Sequence, residues 1–63
     1  MRLLKLKEVM HLTALSRSTI YKYMKEGKFP LSVSLGERSV AWFGEEVNDW
    51  ILEKIDERDS ALL

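Results

Sequence analysis

Cysteine is absent from the 63 residues, and histidine and proline occur once each. Without cysteine there is no disulfide framework and no thiolate metal site. A secreted domain of this size usually needs such staples, so an intracellular, cytoplasmic setting is expected. His11 alone supplies no zinc set. No apolar run approaches the ~18 residues of a membrane span, and Leu3-Leu4 is too short for the apolar stretch of a signal peptide. No Gly-rich loop is present to cradle a phosphate. The acids near the C-terminus have nothing apolar interleaved that would raise a carboxyl pKa for acid catalysis. These gaps point away from an enzyme, and no cofactor, metal or membrane partner is expected. The composition, 46% hydrophobic and 32% charged, is that of one globular domain. A domain this small buries only about 60% of its unfolded surface and is marginally stable.

Net charge is zero, which first argues against a polyanionic partner. The charges are unevenly distributed, however. Residues 1–40 hold eight bases (Arg2, Lys5, Lys7, Arg17, Lys22, Lys25, Lys28, Arg38) against three acids, net +5. Residues 41–63 hold two bases against seven acids, net −5. Such asymmetry fits a side facing a polyanion and a side turned away. The alternative is a chance distribution of solvated charges.

Leu6, Val9 and Met10 recur at helical spacing, which predicts a short helix from Lys5 to Leu12. Thr13-Ala14-Leu15 is a break. Ser16 is an N-cap candidate for a second helix whose inner stripe is Ile20, Tyr23 and Met24. Leu15 and Ile20 have the spacing of a hydrophobic staple, and Gly27 is a C′ candidate. Phe29-Pro30 reads as an extended exit. Ser32–Leu35 and Ser39–Trp42 read as the strands of a hairpin, turning at Gly36-Glu37-Arg38. A last helix is expected from Glu45 to Asp59, with Val47, Trp50, Ile51 and Ile55 inward and Glu45-Glu46 suiting its positive N-terminal end. Residues 60–63 read as a frayed tail. The expected core is Leu6, Val9, Met10, Leu15, Ile20, Met24, Val33, Leu35, Trp42, Val47, Trp50, Ile51 and Ile55.

The fold class is therefore mainly α with a small β-hairpin, in the order helix, helix, hairpin, helix. Residues 1–59 form one winged helix-turn-helix domain, since two helices joined by about three residues make that unit. Its second helix suits DNA. Arg17, Ser18 and Thr19 place compact polar groups at the N-terminal end, where a recognition helix meets base edges. Tyr21, Lys22 and Lys25 suit backbone phosphates, and the free N–H groups of the helix N-terminus suit a phosphate too. Arg38 at the wing tip suits a minor groove or flanking phosphate, with Lys28 a weaker candidate and Lys5 and Lys7 possible additions from the first helix. The bland readings are an ordinary capped surface helix and a solubilising turn residue.

The combination of Leu6-Lys7-Glu8-Val9, Leu15-Ser16-Arg17-Ser18-Thr19-Ile20-Tyr21 and Lys25-Glu26-Gly27-Lys28-Phe29-Pro30 resembles the AlpA family of phage and prophage regulatory proteins. Val33, Leu35-Gly36, Arg38, Val40, Trp42, Glu46-Val47 and Trp50-Ile51 extend the resemblance over about residues 3–51. That family is similar in turn to MerR-type winged-helix domains and small phage excisionases. The resemblance implies a bacterial or phage-encoded, sequence-specific transcription regulator acting on integrase or excision genes. An excisionase bending attachment-site DNA is the alternative, and a protein-interaction module without DNA binding is a further one. Ser32-Val33-Ser34 departs from the family pattern in lacking the basic residue often seen beside that strand. Double-stranded DNA is the expected partner, with integrase or RNA polymerase as protein partners. One small domain makes few phosphate contacts, so self-association on DNA is expected, through the last helix or the Ala61-Leu62-Leu63 tail.

Overall fold

Six elements follow one another in the order β1 (Leu3–Leu4), α1 (Leu6–Thr13), α2 (Arg17–Lys25), β2 (Val33–Gly36), β3 (Ser39–Phe43) and α3 (Gly44–Ala61). They are seen in a computed structural model that describes residues 1–62. The helix-turn-helix and the hairpin wing are present as expected, preceded by a short strand that the sequence did not announce. β3 is the central strand. It pairs antiparallel with β1 (Leu3 with Phe43, Leu4 with Trp42) and with β2 (Val33 with Ala41, Ser34 with Val40, Gly36 with Ser39). The first pairing is continued by the Gly44 N–H, which donates to the Arg2 carbonyl at 2.8 Å. A Cβ on Gly44 would stand 3.0 Å from that same oxygen, so a side chain there would push β1 away by a few tenths of an ångström.

Local chemistry sets each helix boundary. At the start of α1 the Lys5 N–H donates to Glu8 Oε1 at 3.0 Å, and Arg2 pairs with Glu8 Oε2 at 2.6 Å. That backbone N–H, with Arg2 adding to it, holds the Glu8 carboxyl below its usual pKa. A carboxylate with a depressed folded pKa stabilises the fold above its unfolded pKa, and the effect is lost as pH falls through the folded value. Glu8→Gln is therefore expected to flatten the acid limb of a plot of urea midpoint against pH by lowering the neutral region, leaving the most acidic points, where Glu8 is already protonated, little changed.

At the other end of α1, Thr13 Oγ1 donates to the Val9 carbonyl at 2.7 Å and accepts from the Leu15 N–H at 3.3 Å. Ala14 closes the helix in the left-handed region, φ 60°. A Cβ there costs about 1–2 kcal/mol, against about 0.4–1 kcal/mol of unfolded-state entropy that glycine would add. Ala14→Gly is expected to raise stability by about 0.5–1 kcal/mol, read as a higher thermal midpoint.

Ser16 caps α2 as expected: its Oγ accepts from the Thr19 N–H at 3.2 Å. The helix ends in a Schellman motif. The Lys28 N–H donates to the Tyr23 carbonyl at 2.8 Å and the Gly27 N–H to Met24 at 3.2 Å, with Gly27 at φ 72°. Two indoles then fix the exit from the helix. Trp50 Nε1–H donates to the Lys28 carbonyl at 2.7 Å, and Trp42 Nε1–H to the Pro30 carbonyl at 3.1 Å. Between them the Phe29 ring meets Trp50 edge-on, with centroids 4.9 Å apart.

The core is Leu4, Val9, Ile20, Phe29, Trp42 and Val47, with Leu6, Met10, Leu15, Tyr23, Met24, Val40, Trp50 and Ile51 packed against it. Three expected core residues lie outside it: Val33, Leu35 and Ile55 are exposed. β2 is an edge strand that touches the sheet only through β3, so its alternating apolar residues reach no helix. Ile55 lies where α3 has run past the core. Leu4, Phe29 and Ala41 are buried instead, without having been expected. α3 continues through Ala61, two residues beyond the expected end at Asp59. Leu63, the last residue of the expected tail, lies outside the described residues. No helix among the described residues is long and apolar enough to cross a membrane.

Candidate nucleic-acid interface

α2 is pinned by one side and open on the other. Ile20 is fully buried, and Tyr23 and Met24 are half-buried against the core. Arg17, Ser18, Tyr21, Lys22 and Lys25 are exposed. The helix carries three cations and no acid. Thr19 is half-buried and engaged in the cap, since its Oγ1 accepts from Ser16 Oγ at 2.9 Å. Its position is therefore set by Ser16, which fixes it more firmly than its neighbours Arg17 and Ser18.

A stack that sequence reasoning missed orients the Arg17 side chain. Its guanidinium lies over the Tyr21 ring, 5.7 Å from the centroid. Tyr21 in turn meets Trp42 edge-on, with centroids 6.3 Å apart and planes at 71°. The cation at the N-terminal end of α2 is thus coupled through two rings to the middle of the core. Such cation–π contacts contribute about 0.5–1 kcal/mol at exposed sites. The usable signal was the i, i+4 spacing of Arg17 and Tyr21, which places the two on one helix face. Tyr21 is thereby a support for Arg17 as well as a candidate phosphate donor.

The other candidate residues are dispersed. Arg38 sits exposed in the β2–β3 turn at φ 60°. Lys5 caps α1, and Lys7 is exposed on it. Lys28 lies past the C-terminal end of α2 and pairs with Glu26 at 3.6 Å. Its backbone is held by Trp50 of α3, at the end of α2 opposite Arg17. The structure thus groups Arg17, Ser18, Tyr21, Lys22 and Lys25 on one helix and sets Lys28 apart from Arg17 and Ser18.

The charge split maps onto elements. All seven acids of residues 41–63 lie on α3, and every one is exposed. Glu45 and Glu46 occupy its first turn, where the helix dipole favours negative charge. No polar or charged residue is buried among the described residues, so the chemistry available to this molecule is that of its surface.

Residues 2–55 match the family model described as prophage CP4-57 regulatory protein (AlpA). The chain is similar to "Uncharacterized protein ORF88" of Enterobacteria phage P4, with 52% identity over 54 residues. That alignment covers 86% of this chain and 61% of the phage protein, so the chain spans less than two thirds of that relative's length. It is also similar to "DNA-binding transcriptional activator AlpA" of Escherichia coli (strain K12), with 30% identity over 59 residues and 84% of each chain covered. By its sequence and by the winged helix-turn-helix it folds into, the chain belongs to the AlpA family of prophage regulatory proteins.

Proposed function

We propose that the chain is a site-specific DNA-binding transcription regulator that docks α2 in the major groove. The observation that carries this reading is the acid-free, cationic outer face of α2, on a helix whose inner face holds the fully buried Ile20. Arg17 and Ser18 at the N-terminal end lie nearest base edges, with Thr19 beside them, and arginine offers a guanine two parallel hydrogen bonds. Tyr21, Lys22 and Lys25 anchor the backbone, while Arg38 on the wing reaches the neighbouring groove or phosphates. α3, with its seven exposed acids, is repelled by phosphate and turned outward, which fixes the orientation of docking. It there presents an acidic surface to RNA polymerase or another protein.

Selection of bound duplexes from a random pool tests this reading. One compact site is expected, lying beside integrase or excision genes when sought in a genome. Recovery of no preferred sequence overturns site-specific reading. On the selected duplex, Lys22→Ala is expected to lower the slope of log affinity against log salt by about one and to weaken all sequences alike.

A further inference from the structure

We propose that the groove between α3 and the α1–α2 turn is a docking site for an acidic amphipathic helix of a partner protein. Two cavities of about 420 and 300 Å³ meet there, sharing Trp50 and Lys54. Leu15 and Tyr23 line the larger, and Leu12, Ile51 and Ile55 the smaller. Leu12 is 48% and Ile55 41% exposed, so this apolar floor is partly open to water. The charged residues lining the groove are all bases: Lys28 in the larger cavity, Arg58 in the smaller and Lys54 in both.

The occupant follows from the charge. α3 carries seven acids and two bases, yet both bases and no acid among the described residues line the groove. Helix geometry separates them. At about 100° per residue, Ile51, Lys54, Ile55 and Arg58 share about 100° of arc, and the acids take the rest of the circumference. An apolar floor with cations along it fits a helix whose apolar stripe is flanked by carboxylates. From Trp50 to Arg58 the groove runs about 12 Å along α3, roughly two helical turns. Its cations now pair with neighbouring acids, Lys28 with Glu26 at 3.6 Å, Lys54 with Glu57 at 3.3 Å and Arg58 with Asp59 at 2.9 Å. Such exposed pairs hold little energy, so a partner's carboxylates can replace them.

Other occupants suit the groove less well. Duplex phosphate would meet the three cations but leave Leu12, Ile51 and Ile55 without apolar partners, and the acids of α3 repel it. A second copy would have to offer an acidic surface with an apolar stripe. On the acidic side of its α3, Leu52 is the one large apolar residue exposed among the described residues. A helix seated in such a groove uses about four anchors, at i, i+3, i+4 and i+7. The docking does not rest on the DNA reading above.

Two capped helical peptides of about 14 residues serve as probes, both with leucines at i, i+3, i+4 and i+7, flanked by glutamates in one and by lysines in the other. Fluorescence polarisation of the labelled peptide reads binding to the full chain without DNA. The glutamate peptide is expected to bind saturably, about tenfold or more tighter than the lysine peptide. Ile55→Ser is expected to weaken it about tenfold through lost apolar burial, and Lys54→Glu combined with Arg58→Glu by a similar factor. Lys22→Glu on α2 is expected to leave it near wild type. All four positions are exposed, so the fold is retained, as circular dichroism checks. No saturable binding, equal affinity for the two peptides, or a loss from Lys22→Glu as large as from the double variant overturns the proposal. Self-association that Ile55→Ser removes also overturns it, since a second copy then fills the groove. So does a loss of duplex affinity from the double variant equal to that from Lys22→Glu, since phosphate then fills it. Peptide binding is measured without DNA, so its failure leaves the reading of α2 untouched.

Discussion

Trp42→Ala is expected to abolish the cooperative unfolding transition, leaving the chain unfolded at room temperature. Trp42 is fully buried on the central strand, paired with Leu4 and in one core with Val9, Ile20 and Val47. Truncating a buried tryptophan to alanine costs about 3–5 kcal/mol. A domain below about 70 residues rarely holds more than about 3–5 kcal/mol in total, so the loss is as large as the whole. The indole also donates to the Pro30 carbonyl, and Trp42→Phe removes that hydrogen bond together with part of the buried ring. Replacing a single hydrogen bond costs about 0.5–1.5 kcal/mol, or more where the acceptor stays buried. Trp42→Phe is therefore expected to fold with a lowered thermal midpoint. Circular dichroism against temperature reads both variants, and a Trp42→Ala melt matching the wild type contradicts the role given to this residue.

Among alanine substitutions on α2, Arg17→Ala is expected to have the largest effect on DNA affinity while leaving the fold intact. The side chain is exposed and rests on Tyr21 rather than in the core, so stability changes little. A bidentate arginine–guanine pair is worth about 1–3 kcal/mol of discrimination, which is a loss of roughly five- to 150-fold in affinity. The preferred sequence is expected to relax at one position of the site, in contrast to the uniform weakening from Lys22→Ala. Arg17→Lys is expected not to restore it, since a lysine ammonium lacks the planar fork and stacks less well on an aromatic ring. Repeating the duplex selection with each variant measures these shifts. An unchanged preference with Arg17→Ala would show that this residue reads no base.

Much of this architecture is legible in the sequence because its signals are local. Leu6, Val9 and Met10 declare α1 by their spacing, and Ser16 and Gly27 bracket α2 through backbone chemistry confined to a few residues. What stayed hidden depends on contacts distant along the chain. Two residues, Leu3-Leu4, cannot display a period, so β1 becomes visible only when paired with Phe43 and Trp42. Phe29 sits in a segment that reads as an extended exit, and its burial comes from residues distant along the chain, Trp42, Val47 and Trp50 among them. The alternation in β2 shows a strand but not whether anything covers it; on Val33 and Leu35, nothing does. Ile55 continues the helical stripe of Val47 and Ile51 beyond the point where there is a core to receive it. In the candidate interface, the sequence shows Arg17 as a cation at a helix start. The chain from Arg17 through Tyr21 to Trp42 needs a strand folded behind the helix.

The central claim, that the cationic face of α2 binds duplex DNA while acidic α3 faces away, is tested most directly by affinity against salt for wild type, Lys22→Glu and Lys54→Glu. Both substitutions change net charge equally, and both positions are exposed. Wild type is expected to bind at low salt with an affinity that falls steeply as salt rises. Lys22→Glu is expected to lose binding, whereas Lys54→Glu on α3 is expected to stay near wild type. Absence of wild-type binding at low salt, or equal losses from the two variants, would contradict the account.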